Sequence, residues 1–466
     1  MGRIAALLRR FRNLLMVSVE LKKELPARVL FRAIQQEKGV VWIDRATGGG
    51  PSFMAFSPAS QLMIARESTG GLDAIAEFVR RATPDDAGSV VPHTFGFLGY
   101  DLATTAEPRM ELRHDAAACL PRAHLAHYDI VFRCDPRSAA PDAPCRITAW
   151  GHASRKLAAV VATVEARLDA WVTKPEEDDR EGRLVQWPPE APYCAAVKRA
   201  LEYIAAGDIY QLNLAGRLVG ETEQSHATTY LRLRQAQPVP FGVYFDAGDF
   251  KLLSNSPERF LRVHGDAITT EPIKGTRRRD ADTDRDHGLA QELRMDPKER
   301  AENVMIVDLE RNDLGRICAR GSVHVPSLLR VESWSTLHHL VSTVSGRLRP
   351  DTTLDAILRA TFPGGSITGA PKIRASQIIA ELEDQAREIY TGSFFAFTGP
   401  RDFDSSILIR TAIARGTRLS YHAGCGIVAD SDPGREYAEL WLKARPFLSA
   451  LGIPPTQPIS MHEENA

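Results

Sequence analysis

The sequence predicts an α+β fold. Strand-like segments follow one another in succession, and helical segments are grouped between them rather than alternating strictly with them. Hairpin turns join several of these strands, as at Ala247-Gly248-Asp249 and His264-Gly265-Asp266. No internal repeat at a fixed period is present, which argues against a solenoid or propeller. This order of elements also argues against the βαβ units of a nucleotide-binding sheet.

Composition narrows the class of protein. The chain has 466 residues, 44% hydrophobic and 25% charged, which is typical of a soluble globular protein of two or three domains. The formal net charge of -1 gives no electrostatic case for binding nucleic acid or an acidic membrane. Six scattered cysteines without a Cys-x-x-Cys pair predict neither a disulfide framework nor a zinc site, and they favour the cytoplasm.

Composition shifts divide the chain into regions. Residues 1–25 are basic around Leu14-Leu15-Met16-Val17, too short an apolar run for a secretory signal or a membrane span. We expect an amphipathic surface helix or a poorly ordered extension there, before the fold begins near Pro26. The charged segment at 173–186 predicts a linker between regions 26–172 and 187–450. The proline-rich end, 451–466, predicts a disordered tail.

In the N-terminal region, apolar periodicity predicts strands and helices in turn. The strands are expected at 39–43, 127–133 and 146–150, and the helices at 71–81 and 155–172.

The C-terminal region begins with a predicted helix that Gly207 ends. A meander of strands follows, and then a helix that Asp296 caps and Pro297 opens. The strands of the meander are expected at 241–245, 250–253, 260–263 and 267–273. Two later strands are expected at 406–414 and 418–428, and a last helix at about 435–449.

Lys274 follows the last strand of the meander and stands just before Arg277-Arg278-Arg279. Fixed positive charges nearby disfavour the ammonium form of a lysine. A neutral lysine is a nucleophile. The alternative is an ordinary solvated surface charge, which is the commoner role of a lysine.

Carboxylates on two helices form a candidate metal site. Glu302 lies on the helix that Asp296 caps, and Glu436, Glu439 and Lys443 share one face of the last helix. Carboxylate oxygens suit Mg²⁺. The alternative is a solvated stripe of Glu–Lys ion pairs.

A glycine-rich segment, 363–372, leads into a predicted helix, and a helix N-terminus offers free amides to an anion. Ala370-Pro371 follows Gly369 where a nucleotide-binding loop requires Lys-Ser/Thr, so the nucleotide-binding interpretation is rejected.

Glu258 lies in a turn between two strands of the meander, where a carboxyl held protonated serves as a general acid. The alternative is an ordinary turn charge. Arg410 lies in an apolar strand, and a buried arginine requires an anionic partner, which is either a ligand or a structural acid. Gly424 and Gly426 permit close approach of a ligand to the next strand.

Together these motifs resemble those of the chorismate-utilising enzymes. The resemblance covers residues 187–450 strongly and the region before the linker more weakly. It rests on the segments Gly207-Asp208-Ile209-Tyr210-Gln211-Leu212-Asn213-Leu214, Ser256-Pro257-Glu258, Pro272-Ile273-Lys274-Gly275-Thr276, Arg300-Ala301-Glu302-Asn303, Asp308-Leu309-Glu310-Arg311-Asn312-Asp313, His339-Leu340-Val341-Ser342, 364–372 and Glu436-Tyr437-Ala438-Glu439.

The resemblance implies a fold of antiparallel β-sheets packed as a sandwich with helices outside, and an activity on chorismate. Anthranilate synthases typically carry alanine where this chain has Lys274, which points to the 4-amino product. Isochorismate-forming relatives carry a water-activating lysine where this chain has Gln211, so ammonia is the implied nucleophile. The open alternatives are another chorismate-aminating enzyme, such as anthranilate synthase component I, and an inactive binding paralogue.

By the same resemblance, Lys274 and Glu258 are catalytic, and Glu302, Glu436 and Glu439 hold Mg²⁺. The residues implied to line the substrate pocket are Gln211, His339, Thr368, Tyr390, Arg410, Gly424, Gly426 and Lys443. The sequence contains no amidotransferase nucleophile motif, so we expect ammonia from a separate glutamine amidotransferase subunit or from free ammonium. Residues 40–45 depart from the Leu-x-x-Ser signature of tryptophan-binding relatives, so bound tryptophan is not expected.

Overall fold

The computed structural model describes residues 16–454 except 48–49, 69–70, 84–90, 114–119, 139, 141, 153, 173–179 and 335–336. The helices of this part, numbered in chain order, are α1 Ala27–Ile34, α2 Leu72–Ala82, α3 Ala103–Ala106, α4 Ser154–Val172, α5 Glu190–Ala205, α6 His226–Ala236, α7 Thr283–Met295, α8 Pro297–Gly315, α9 Leu354–Thr361, α10 Lys372–Leu382 and α11 Pro433–Ala450.

The described strands form two antiparallel sheets. The larger contains β1 Val17–Glu20, β2 Leu25–Pro26, β3 Val41–Asp44, β4 Ser52–Ala55, β8 Ile130–Pro136, β9 Pro144–Gly151, β10 Arg183–Gln186, β11 Gln211–Glu221, β12 Phe241–Asp246, β13 Lys251–Ser256, β19 Gly369–Ala370, β22 Thr411–Arg415 and β23 Arg418–Ile427. The smaller contains β5 Ser60–Ile64, β6 Thr94–Leu98, β7 Ala123–His127, β14 Arg259–His264, β15 Ala267–Glu271, β16 Ile273–Arg278, β17 His324–Ser333, β18 Leu337–Arg347, β20 Ser393–Phe397 and β21 Phe403–Ile407.

Each sheet combines strands from both sides of the predicted linker. The larger runs β1-β9-β8-β4-β3-β12-β13-β22-β23-β11-β10, and the smaller runs β16-β18-β15-β14-β21-β20-β6-β7-β5. In the larger sheet β3 pairs with β12, with Ile43 opposite Val243. In the smaller sheet β6 pairs with β20, with Phe97 opposite Phe394. The N-terminal and C-terminal regions therefore share both sheets.

Alternation along the strands explains how the sheets pack. In β12, Phe245 faces Phe97 of the smaller sheet, with ring centroids 6.3 Å apart, whereas the preceding Tyr244 packs on Phe31 of α1. Neighbouring residues of a strand point to opposite faces. One face of the larger sheet therefore meets the smaller sheet and the other carries helices. Residues of α2, α8 and α9 cover the outer face of the smaller sheet in the same way. The predicted α+β sandwich with external helices is confirmed.

Three predicted strand runs are wrong in one respect, because the chain changes sheet inside each of them. The predicted strand at 127–133 is β7 of the smaller sheet followed by β8 of the larger. The meander crosses from β13 to β14 at Pro257-Glu258, and the predicted strand at 406–414 crosses from β21 to β22 through Arg410. Period-2 alternation is a local pattern, and it persists through such a crossing.

The structure also differs from the predictions near the ends of the regions. Val17–Glu20 pairs with β9, so the fold begins before Pro26. Arg183–Gln186, within the predicted linker, pairs with β11. The basic extension before residue 16, residues 173–179 of the linker and the tail after residue 454 lie outside the described residues. Among the described helices, none has the length and apolar character needed to cross a membrane.

Candidate active site

Lys274 lies on β16, and its amine points into the interior beside the end of β23. A β-carbon placed on Gly426 would come within 3.3 Å of the lysine Nζ and 2.8 Å of the Gln211 side-chain nitrogen. Gln211 is fully buried, and both polar atoms of its side chain lack a hydrogen-bond partner in the described part of the chain. The predicted residues Lys274, Gln211 and Gly426 therefore meet in one place.

Burial lowers the pKa of Lys274, and the nearby Lys443 lowers it further, while Glu302 and Glu258 act in the opposite direction. The expected cause, the following arginines, is wrong. Arg277 pairs with Asp296, with its Nη2 at 2.8 Å from the carboxylate, and Arg279 pairs with Asp286 at 2.7 Å. Because these acids neutralise the two arginines, desolvation is the main reason for the lowered pKa of Lys274.

Glu258 lies at the crossing between β13 and β14, where it is 4% exposed. Burial raises its pKa to about 7, against the opposing effects of a hydrogen bond from Ser366 and the charges of Lys274 and Arg410. The Ser366 hydroxyl donates to the Glu258 carboxylate at 2.6 Å. A carboxyl that titrates near neutrality meets the requirement for a general acid.

The acidic cluster lies on α11 and α8. Carboxylate oxygens of Glu436 and Glu439 lie within 4.8 Å of each other and of the Cys425 sulfur. Burial raises the pKa of Glu302, and the negative charge of the nearby Glu436 also raises it. The three predicted metal ligands therefore face one region, with Glu302 outside the tighter group.

The donor set fits Mg²⁺. Two carboxylates in close approach, with a third beside them, provide the hard oxygen ligands this ion takes, and a bound cation offsets their mutual repulsion. Lys443 partly neutralises the charge of Glu439, since its Nζ lies 2.7 Å from the Glu439 carboxylate. The same Nζ donates to the Gly424 carbonyl oxygen at 2.8 Å. Lys443 thereby ties the acid cluster to the glycine strand.

Arg410 lies between β21 and β22 with a φ of 51°. This is the left-handed region, which a non-glycine residue adopts at an energetic cost. Its side chain has no ion pair among the described residues, its Nη1 is buried without a hydrogen-bond partner, and burial lowers its pKa. Among the described residues no acid forms an ion pair with Arg410, although the charge of Glu258 acts on it.

The other implied pocket residues are buried and mostly neutral. Burial lowers the pKa of His339 to about 3, and one ring nitrogen lies 3.0 Å from the Thr276 hydroxyl while Nε2 has no partner. Tyr390 stacks on His422 with centroids 4.9 Å apart. The Thr368 hydroxyl donates to the Gly364 carbonyl at 3.0 Å. Gln211 and His339 thus keep polar atoms available for a ligand.

The glycine-rich segment differs from the prediction that its amides await an external anion. The Gly365 amide donates to the buried carboxylate of Glu310 at 3.1 Å, and Lys372 pairs with Asp313 at 2.6 Å. An internal carboxylate therefore occupies part of the expected anion site. The segment instead holds Ser366 against Glu258.

Sequence reasoning missed four residues around the site. Lys298, on α8, contributes a positive charge felt by Glu302, Glu436 and Glu439, and a side chain on Gly275 would meet the Glu299 carboxylate at 2.9 Å. Spacing indicates Glu299, three positions before Glu302 on one helix face. Ser366 and Glu310 lie in segments that carry the family resemblance, but nothing local indicates their contacts, because their partners are distant in sequence. The four missed residues are Lys298, Glu299, Glu310 and Ser366.

A separate cleft of about 630 Å³ adjoins the site. Its walls include Pro257 and Ile273, the residues that precede Glu258 and Lys274, together with Trp334. Trp334 packs on His339, with ring centroids 4.4 Å apart. Because Ile273 and Lys274 are neighbours in one strand, their side chains point to opposite faces. The cleft and the Lys274 side chain thus lie on different sides of β16.

Comparison with known proteins places these residues in a family context. Residues 38–449 match the family described as chorismate binding enzyme. The chain is 37% identical over 448 residues to an aminodeoxychorismate synthase of Streptomyces griseus, covering 88% of this chain and 60% of that protein. It is 39% identical over 363 residues to aminodeoxychorismate synthase component 1 of Klebsiella aerogenes, covering 76% of each. The chain spans 54% to 60% of the length of three curated relatives it matches.

A solved structure agrees with the fold. The crystal structure of anthranilate synthase component I from Streptococcus pneumoniae TIGR4 superposes with a TM-score of 0.72 at 29% sequence identity. The match covers 86% of this chain and 92% of that one. A relative named anthranilate synthase component I therefore shares the architecture described above.

Proposed function

Because the chain belongs to the family of chorismate binding enzymes, we propose that it is an aminodeoxychorismate synthase component I. In this proposal it replaces the C4 hydroxyl of chorismate with ammonia and yields 4-amino-4-deoxychorismate, a precursor of 4-aminobenzoate and folate. The observation that carries the proposal is the placement of Lys274. Its desolvated amine lies beside Gln211 and Gly426, with the buried Glu258 among the charges that act on it.

The reaction then proceeds as two substitutions. In the first, the Lys274 amine bonds to C2 of the ring, the double bonds shift, and the C4 hydroxyl leaves as water after accepting the Glu258 proton. In the second, ammonia bonds to C4, the double bonds shift back, and the C2–nitrogen bond to Lys274 breaks. Overall, ammonia is consumed and water is released. The proton that the lysine nitrogen loses on bonding to C2 restores Glu258, and the proton that ammonia loses on bonding to C4 restores the leaving lysine. Splitting one difficult step in two is the usual gain from covalent catalysis.

The side chains around the amine suit the substrate's two carboxylates. Arg410 supplies a cation without an ion pair in the described chain, and Lys443 supplies another that reaches Gly424. Glu302, Glu436 and Glu439 would hold Mg²⁺, which when bound anchors and neutralises the ring carboxylate. The remaining pocket residues, His339, Thr368, Tyr390 and Gln211, exclude water and orient the ring.

Amination at C2 is the second candidate, as in anthranilate synthase. The similarity to the Streptococcus pneumoniae structure favours it. Lys274 favours C4 instead, because the resemblance assigns alanine to this position in anthranilate synthases, and a direct attack by ammonia on C2 needs the space that the lysine occupies.

Ammonia requires a source. We propose a separate glutamine amidotransferase subunit, in line with the component numbering of the Klebsiella aerogenes relative. Free ammonium salts at alkaline pH substitute for it in an assay.

Product analysis tests the reaction. The purified chain is incubated with chorismate, Mg²⁺ and ammonium chloride, and the products are separated by mass-detected chromatography. We expect 4-amino-4-deoxychorismate, converted to 4-aminobenzoate when a suitable lyase is added. Fluorescent anthranilate would support C2 amination, and unchanged chorismate would support an inactive binding protein.

The nucleophile is tested by intact mass after incubation with chorismate and Mg²⁺ but no ammonia. The wild-type chain gains the mass of chorismate minus water, and Lys274→Ala does not. Lys251→Ala is the matched control, since that lysine forms an ion pair with Asp246 in β12. An adduct retained by Lys274→Ala would place the covalent bond elsewhere.

A further inference from the structure

A second buried carboxyl lies beneath the segment that contacts the general acid. Glu310, on α8, is 3% exposed. Its Oε1 accepts a hydrogen bond from the Gly365 amide at 3.1 Å, and its Oε2 is buried without a partner in the described chain. A buried carboxyl with only one hydrogen bond is energetically costly, so its place in the fold calls for a reason.

Residue 365 packs so closely against α8 that no side chain fits there. A β-carbon on Gly365 would lie 2.5 Å from Leu309 and 3.0 Å from the Glu310 oxygen. The following residue, Ser366, donates its hydroxyl to Glu258 at 2.6 Å. One hydrogen bond from Gly365 and one from Ser366 therefore link the two carboxyls across two adjacent residues of the glycine-rich segment.

Charges around the two carboxyls differ. Glu258 faces Lys274 and Arg410, whereas Glu310 faces Asp313 and Lys372. Burial raises the pKa of Glu310 to about 7, and the Glu258 charge is among the effects that raise it. Interaction between two titrating sites is reciprocal, so an ionised Glu310 favours the protonated form of Glu258 to the same extent.

We propose that Glu310 is a positioning residue for the general acid: it fixes the Gly365–Ser366 backbone and, when ionised, presents a second negative charge to Glu258. Glu310 does not touch the substrate. It acts through the segment, and it helps Glu258 keep its proton until the leaving hydroxyl takes it. The inference rests on the proposed function only in naming Glu258 as the acid.

Glu310→Gln and Ser366→Ala separate the effect of the Glu310 charge from that of the Ser366 hydrogen bond. The two substitutions shift the pKa of Glu258 in opposite directions. Glutamine keeps an acceptor for the Gly365 amide but removes the charge, so the pKa of Glu258 falls. Alanine at 366 removes a hydrogen bond that favours the ionised form, so the pKa of Glu258 rises. We expect shifts of about half a pH unit or more each way, which is about a threefold change in proton affinity.

Infrared titration measures these shifts without turnover. The absorption of protonated carboxyl groups is followed against pH in each variant, and the Glu258 band is identified by its loss in Glu258→Gln. Asp308→Asn is the control, since this exposed carboxylate on α8 pairs with Arg311 and should leave the midpoint unchanged. The alkaline limb of the kcat/KM profile for chorismate should move with the infrared midpoint, while thermal melting confirms that each variant is folded.

Different results would overturn the role of Glu310 and the proposed amination of chorismate. An unchanged Glu258 midpoint in Glu310→Gln, in a folded protein, overturns the role of Glu310 whatever the enzyme makes. A shifted midpoint in a protein that does not aminate chorismate overturns the proposed reaction and supports the link between the carboxyls.

Discussion

Gly426 lies directly against the amine of Lys274, so that a β-carbon at residue 426 would stand 3.3 Å from Nζ. The same carbon would stand 2.8 Å from the side-chain nitrogen of Gln211. The last strand of the larger sheet and a strand of the smaller sheet thus meet at the Lys274 nitrogen, and only a glycine fits between them.

Gly426→Ala is therefore expected to displace Lys274 or Gln211 and to lower kcat by about 100-fold, the effect of a small misplacement of reacting groups. Gly288→Ala, on α7, is the control, because a β-carbon there meets nothing within 4 Å. Steady-state kinetics with chorismate and ammonium chloride provide the measurement. Equal activity in both variants would mean that the amine does not react where it lies.

Glu258→Gln is expected to stabilise the fold at alkaline pH while it removes activity. The folded pKa of Glu258 is raised to about 7 from an ordinary 4.5. Its contribution to stability is therefore fully present below about pH 4.5 and is lost as the pH rises through 7, where a buried charge remains. We expect Glu258→Gln to gain about 2–3 kcal/mol over wild type at pH 8 and little at pH 4.5.

Denaturant unfolding at the two pH values measures this gain. Glu381→Gln, an exposed carboxylate on α10 that contacts Tyr203, is the comparison and should show no such difference. A gain of equal size at both pH values would point to packing rather than to the charge of Glu258.

Glu302→Gln and Glu436→Gln are expected to weaken Mg²⁺ binding by about tenfold or more, since even supporting residues of metal sites contribute about that much. Isothermal titration with MgCl₂ alone measures this affinity without any reaction. Asp308→Asn, on the same helix as Glu302 and paired with Arg311, should bind as wild type does. An affinity that none of these substitutions changes would place the ion elsewhere.

Arg410→Lys is expected to raise KM for chorismate and to reduce kcat/KM by about 10- to 100-fold, the usual range for a lost hydrogen bond to a charged group. Lysine keeps the charge but not the planar arrangement of donors. Arg418→Lys, at an exposed site at the start of β23, should behave as wild type does. A change in kcat alone would indicate that Arg410 does not bind the ground-state substrate.

Much of the candidate site could be predicted from the sequence. A motif identifies its residues even when the fold of the chain between the motifs is unknown. Lys274, Gln211 and Gly426 come together as the resemblance implied, and Glu436 and Glu439 share a helix face as their spacing required. The cause of the low Lys274 pKa could not be predicted. Neighbouring arginines are evident in a sequence, but the acids that neutralise them, such as Asp286 beside Arg279, are known only from their contacts.

By itself, the sequence determined many of the strands and helices, including the helix capped at Asp296, since alternation and capping depend on near neighbours. Only the tertiary structure decided which sheet each strand joins. Glu258 and Arg410 both lie where the chain passes from one sheet to the other, and a crossing leaves the local pattern unchanged. Strand pairing depends on hydrogen bonds between residues far apart in the chain. This pairing places Glu258 where the charges of both Lys274 and Arg410 act on it.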